Sequence, residues 1–184
     1  TARRQSESLR DVPASVSVLT ADALEKTGAQ LAEDFVQLTP GVTIVTGTAE
    51  VGDSQINIRG MNGARDAESS VALVVDGILK TNTAQLNQNH GTMSQVEILK
   101  GPQGAIYGRN AAAGAIVLST LKPTDEYTGN LKVSLAEHGT QSASGYVSGP
   151  VGSNSGFVVS FNRKETDGFY TNRFLNQDVV DNAE

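Results

Sequence analysis

Cysteine is absent from these 184 residues and histidine occurs twice, at His90 and His138. The absence of cysteine excludes a disulfide framework, a thiolate zinc site and a cysteine nucleophile. No run of apolar residues approaches the roughly 18 to 20 that a membrane-spanning helix needs, so any passage through a bilayer would have to be made by strands. The 14 basic residues are outnumbered by 20 acidic ones and form no clustered stripe. A nucleic-acid surface is therefore not expected, because phosphate neutralisation needs converging Lys and Arg. The start, Thr1-Ala2-Arg3-Arg4, lacks the apolar core of a secretory signal, so such a signal is expected either to have been removed or never to have existed.

What is present divides at Lys122-Pro123. Aromatic residues are sparse before that point, with only Phe35 and Tyr107. Tyr127, Tyr146, Phe157, Phe161, Phe169, Tyr170 and Phe174 follow in the shorter remainder. Two different physical objects are expected to be joined there, with boundaries at 1–122 and 123–184.

The first object reads as short mixed elements. Val16 to Leu19 alternates as a strand, Thr20 stands at a helix N-cap position with Asp22 in the first turn, and Gly28 follows the end. Leu31, Phe35 and Leu38 recur at i, i+4 and i+7, which predicts one apolar helix face packed on a sheet, and Thr39-Pro40-Gly41 stops the helix. Strands are predicted at Val42 to Val45, Gln55 to Arg59, Val71 to Val75, Gln95 to Lys100 and Ala115 to Thr120. Asp76-Gly77 between apolar residues is a two-residue hairpin signal, since both positions tolerate positive φ. Mixed strands with helices on one side make an α+β domain.

In the second object, Leu131 to Ala136, Ser142 to Ser148 and Phe157 to Asn162 place apolar or small residues on one parity and mostly polar ones on the other. They predict about three long antiparallel strands, with a turn at Gly149-Pro150-Val151-Gly152. Three strands make a meander and not a closed barrel. If the apolar parity faces lipid, Phe157 and Phe161 belong near strand ends in an aromatic girdle. A soluble sheet with one side on a core fits the same alternation.

No arrangement argues for an enzyme. Gly101 to Gly108 is glycine-rich after a strand, but it lacks both the Gly-Lys-Ser/Thr ending and the GxGxxG spacing of phosphate loops. His90 lies in a polar loop with no second metal ligand nearby. Glu33 and Asp34 solvate a helix surface. Arg59 and Arg109 are more informative. Gly60 and Gly108 beside them let backbones approach closely, and an Arg fork suits bidentate pairing with carboxylates.

Several stretches now carry a family likeness. They are Glu7 to Thr20, Leu38-Thr39-Pro40-Gly41-Val42, Ile56-Asn57-Ile58-Arg59-Gly60-Met61 and Val75-Asp76-Gly77. The most specific is Val96 to Gly104, including Gly101-Pro102-Gln103-Gly104, with Tyr107-Gly108-Arg109-Asn110-Ala111 and Gly114-Ala115-Ile116. In these motifs the chain resembles the plug domain of TonB-dependent outer-membrane receptors, followed by the start of their β-barrel.

The resemblance implies a barrel of about 22 strands closed by its plug, of which this chain holds the plug and about three strands. It implies residence in the bacterial outer membrane, in contact with lipid, with the plug in the lumen facing the periplasm. It also implies binding and import of a scarce nutrient, most often a ferric siderophore, sometimes cobalamin, haem or a glycan, driven by TonB through a box upstream of Thr1. No cofactor, metal or nucleic-acid partner follows from it. By carry-over, Glu50, Asp53, Arg65, Asn82, Gln88 and His90 lie in apical loops that face ligand, and Arg59 and Arg109 dock the plug on barrel carboxylates. A soluble periplasmic binding module with a plug-like fold stands as the alternative. Against it, Phe157, Val159 and Phe161 would leave an apolar stripe exposed.

Overall fold

The computed structural model describes residues 15–27, 29, 32–46, 54–61, 69–80, 86, 92–137, 139–165, 171–172 and 177–178. The chain forms two compact units, Thr1–Thr120 and Leu121–Glu184.

The first unit begins with β1 (Ser15–Thr20), α1 (Ala21–Thr27), α2 (Ala32–Gln37), β2 (Val42–Thr46) and β3 (Ser54–Ile58). It continues with β4 (Val71–Val75), β5 (Ile78–Lys80), β6 (Met93–Lys100), the single turn α3 (Gly104–Tyr107) and β7 (Gly114–Thr120). Thr20 caps α1, its hydroxyl accepting from the Ala23 amide at 3.4 Å, and Leu24 is the residue α1 buries. The main sheet runs β1-β6-β7-β4-β5, with β4 and β7 parallel and the other pairs antiparallel. A separate antiparallel hairpin pairs β2 with β3.

The register of β6 and β7 sorts residues onto two covered faces. Val96, Ile98, Ile116 and Leu118 join Leu24, Phe35, Val36, Val42, Ile56 and Ile58 in one core. Leu99, Ala115 and Val117 join Ala72, Val74, Tyr107 and Ala111 in the other. The expectation of helices on one side is therefore corrected, because α3 and its loop cover the second face while α1, α2 and the β2–β3 hairpin cover the first.

The helix stripe through Leu38 also needs correction. Phe35 and Val36 are buried at 1% exposure each, whereas Leu38 is 43% exposed. The helix ends at Gln37 because Pro40 disfavours an α conformation at Thr39. The buried Thr39 hydroxyl then donates to the Phe35 carbonyl at 3.1 Å, closing the helix end and turning Leu38 outward. Leu31 lies outside the described residues.

The second unit is an antiparallel sheet ordered β10-β9-β8, from β8 (Thr128–Leu135), β9 (Gln141–Pro150) and β10 (Gly156–Glu165). The short pair β11 (Thr171–Asn172) and β12 (Gln177–Asp178) follows. Among the described residues the strands do not close into a barrel. Register brings Leu131 and Phe161 to Gly145, Val133 to Ala143 and Val159 to Val147, so these side chains share one face. The opposite face carries Asn130, Lys132, Ser134, Ser142, Ser144, Tyr146, Ser148, Ser160, Asn162 and Lys164.

Two local expectations change here. Strand β9 continues through Gly149 and Pro150, and the turn lies at 151–155, closed by the Val151 amide donating to the Ser155 carbonyl. A proline is tolerated at that strand end. Phe157 stands at the start of β10 and packs its ring tilted against Tyr127 at a centroid separation of 6.4 Å, whereas Phe161 falls mid-strand and not near a strand end.

Candidate functional site

Residues that carry the motifs converge at one corner of the first unit. Strand β3 ends at Ile58, one residue earlier than the sequence suggests, because Arg59 and Gly60 turn the chain with φ of 53° and 80°. Ile58 and Met61 bridge across this turn by reciprocal backbone hydrogen bonds of 3.2 and 3.0 Å. Positive φ at both central positions is the signature of a type I′ turn. The Arg59 amide donates to the Gly41 carbonyl at 2.8 Å while Ile58 is fully buried, so the Arg59 side chain is held outward on an anchored backbone.

A second cation reaches the same corner. Lys100, at the end of β6, donates from Nζ to the Pro40 carbonyl at 3.3 Å, next to the Gly41 that holds Arg59. Arg59 Nη1 lies 3.8 Å from where a Cβ on Gly101 would stand. The corner is thus built from three segments distant in sequence, around Pro40-Gly41, Arg59-Gly60 and Lys100-Gly101. Lys100 was missed by the sequence argument. The available signal was its place as the last residue of an apolar strand, immediately before Gly101-Pro102.

The Gly101 to Ala113 loop is occupied with its own backbone. The Gly101 amide donates to Ala113, that of Gln103 to Ala111, those of Ile106 and Tyr107 to Gln103, and that of Gly108 to Gly104, all between 2.8 and 3.1 Å. These five donors are satisfied by carbonyls of the loop and its flanks, so they are not presented to a ligand. Pro102 and Gly104 are exposed, and Tyr107 packs its ring in the second core at 6% exposure. Gly108 and Asn110 take φ of 76° and 66°, and Arg109 between them is exposed.

Asp76 and Gly77 make the β4–β5 turn with φ of 49° and 83°. The Asp76 carboxylate also accepts from Thr120, at 2.9 Å from the backbone N–H and 2.8 Å from the hydroxyl. Buried Glu97 faces the second core and accepts from Gln95 Nε2 at 2.6 Å. Glu50, Asp53, Arg65, Asn82, Gln88 and His90 lie outside the described residues. Among the described residues no group of three or more His, Asp or Glu gathers as metal ligands would.

The family of TonB-dependent receptor plug domains matches residues 8–115. The vitamin B12 transporter BtuB of Vibrio vulnificus is 31% identical over 131 residues, covering 68% of this chain and 21% of that protein. An iron-regulated outer-membrane virulence protein of Vibrio cholerae is 28% identical and covers 82% of this chain and 25% of its own length. The crystal structure of the ferric yersiniabactin uptake receptor FyuA from Yersinia pestis superposes with a TM-score of 0.80 at 26% identity, over 90% of this chain and 26% of that one. The chain thus spans about a quarter of the length of these relatives. With a mixed-sheet plug followed by antiparallel strands, the chain belongs to the TonB-dependent receptor plug-domain family, whose members are outer-membrane receptors.

Proposed function

We propose that this chain is the plug and first wall strands of an outer-membrane receptor that binds a scarce nutrient outside the cell and imports it using energy relayed by TonB. The observation that carries the wall assignment is the sheet of the second unit. Leu131, Val133, Leu135, Val147, Val159 and Phe161 are all more than half exposed and share one face. A soluble module would leave that stripe in water, whereas wall strands alternate apolar outward and polar inward.

The relatives' names support nutrient import, one being a vitamin B12 transporter and another a ferric yersiniabactin uptake receptor. We assign a ferric siderophore as the first candidate cargo, with cobalamin, haem and glycans as alternatives. Glu50, Asp53, Arg65, Asn82, Gln88 and His90 are the plug residues we expect to face it. Arg59 and Arg109, with Lys100 beside Arg59, are assigned to hold the plug against carboxylates of the barrel, where charge pairing offsets desolvation. Residues 1–122 act as plug and 123–184 begin the wall. A segment ahead of Thr1 would be taken up by TonB as an added strand and pulled.

The test is uptake by cells expressing the full-length receptor, with labelled ferric siderophores, cobalamin and haem supplied in turn. Accumulation of one cargo that vanishes without TonB is the expected result. Equal accumulation with and without TonB for every cargo would overturn the proposal.

A further inference from the structure

The apolar face of the second unit's sheet carries charge at one end. Register places Arg163 of β10 beside Ala143 of β9 and Val133 of β8, and Glu165 beside Gln141 and Leu135. Both therefore share the face of the apolar stripe, whereas Lys132 and Lys164 lie on the opposite one. Gln141 apart, every other position of that face within the three strands is glycine, alanine or a larger apolar residue.

The two charges are held on each other. Arg163 Nε donates to Glu165 Oε1 at 2.9 Å, and Nη2 donates to the same oxygen. Arg163 is exposed and Glu165 nearly half so. A pair of this kind contributes little in water, but beside hydrocarbon it is less screened and keeps a bare charge from facing an apolar medium. The guanidinium reaches two residues along β10 toward the strand end, so its stem runs over the apolar face while its head leaves it. At the other end of the face the Tyr127 ring covers Gly149 and tilts against Phe157, and its hydroxyl donates to the Pro150 carbonyl.

We propose that lipid headgroups meet this sheet at two levels, one at Arg163, Glu165 and Gln141 and the other at Tyr127, and that bilayer hydrocarbon lies against the residues between. This rests on the wall assignment above. Eight residue steps from Phe157 to Glu165 make about 27 Å of strand. At a strand tilt of about 40° that is about 21 Å along the bilayer normal, close to the apolar band of about 25 Å that such walls present. Phe161 stands midway and is the deepest residue of β10. The ion pair carries no net charge for a protein partner to complement, and a layer of zwitterionic headgroups needs none.

Spin labels placed singly at Phe157, Val159, Phe161 and Glu165 of the full-length receptor, in vesicles of palmitoyl-oleoyl phosphatidylcholine, report depth as the ratio of oxygen to water-soluble nickel accessibility. The ratio is expected to peak at 161 and to be about threefold lower at 157 and 165. A label at Gln141, in the row of Glu165, reads the same level with the ion pair intact and is expected to fall about threefold below 161 as well. Replacing the pair by Arg163→Leu with Glu165→Leu extends the apolar face, and the ratio at 141 should then rise about twofold as hydrocarbon is drawn outward. A ratio at 141 and 165 equal to that at 161 would put both inside the hydrocarbon and overturn the boundary while leaving the wall. Shielding of 141 and 165 from both reagents would mean protein cover there and would overturn it too. An unchanged ratio at 141 in the double variant would remove the ion pair from the boundary. Low ratios at every labelled position would instead overturn the wall assignment, and the boundary with it.

Discussion

The ring of Phe161 lies across Gly145 on the neighbouring strand, so that a Cβ on Gly145 would stand 2.9 Å from the ring edge and 2.7 Å from the Asn130 carbonyl on the other side. Tyr127 covers Gly149 in the same way, its ring 2.4 Å from where a Cβ would be, and donates its hydroxyl to the Pro150 carbonyl at 3.1 Å. Aromatic cover of a strand glycine is a recognised device for stabilising sheet positions that lack a side chain.

Gly145→Val should therefore weaken the wall strands. One neighbour of the added side chain is backbone and cannot rotate away, and such overpacking costs about 1–3 kcal/mol. The expected outcome is a lower unfolding temperature of the full-length receptor in detergent. Gly152→Ala is the comparison; it has open space but a φ of 77°, so its cost is backbone strain alone and about 1 kcal/mol.

Gly114 is the tighter position in the plug. A Cβ there would meet the Leu99 carbonyl at 2.2 Å and Ile58 Cδ1 at 2.8 Å. Gly114→Ala is expected to separate β6 from β7 near Lys100 and to speed hydrogen exchange across 96–100 and 114–118. Gly104→Ala, in α3 with nothing within 4 Å, should leave exchange unchanged or slow it slightly.

For the cationic corner, Arg59→Gly removes the charge while keeping the turn that a φ of 53° demands. Combined with Lys100→Gln, it should loosen the plug more than either change alone, seen as greater protease access to the plug in intact full-length receptor. Equal access in the double variant and the parent would remove both residues from docking.

The exposed Asp22–Lys26 pair on α1, at 2.7 Å, is expected to matter little. Both side chains are more than two-thirds exposed, and surface pairs of this kind contribute about 0.3–0.5 kcal/mol at i,i+4 spacing. Lys26→Ala should shift the denaturant midpoint only marginally.

Much of the fold was legible because its elements depend on near neighbours in sequence. Ile56 and Ile58 alternate as a half-buried strand must, Asp76-Gly77 specifies its hairpin, and Thr20 marks the start of α1. Where the reading slipped, a specific hydrogen bond overrode the periodic pattern. Leu38 obeys the helical period, but the Thr39 hydroxyl and Pro40 had already ended the helix. Arg59 follows strand alternation, yet Gly41 captures its amide and fixes a turn. The corner itself needs register among segments near 41, 59 and 100, which no local pattern encodes, and so Lys100 went unnoticed.

The central claim is that the second unit is membrane wall, and since these 184 residues hold no cysteine, each labelling cysteine introduced among them has no native one beside it in this stretch. Single spin labels would be placed at positions 133, 147 and 159 and at 132, 144 and 160 of the full-length receptor in bilayers. The account predicts that the first three are accessible to oxygen and shielded from a water-soluble nickel reagent, and that the second three show the reverse. Uniform accessibility across both sets would contradict it.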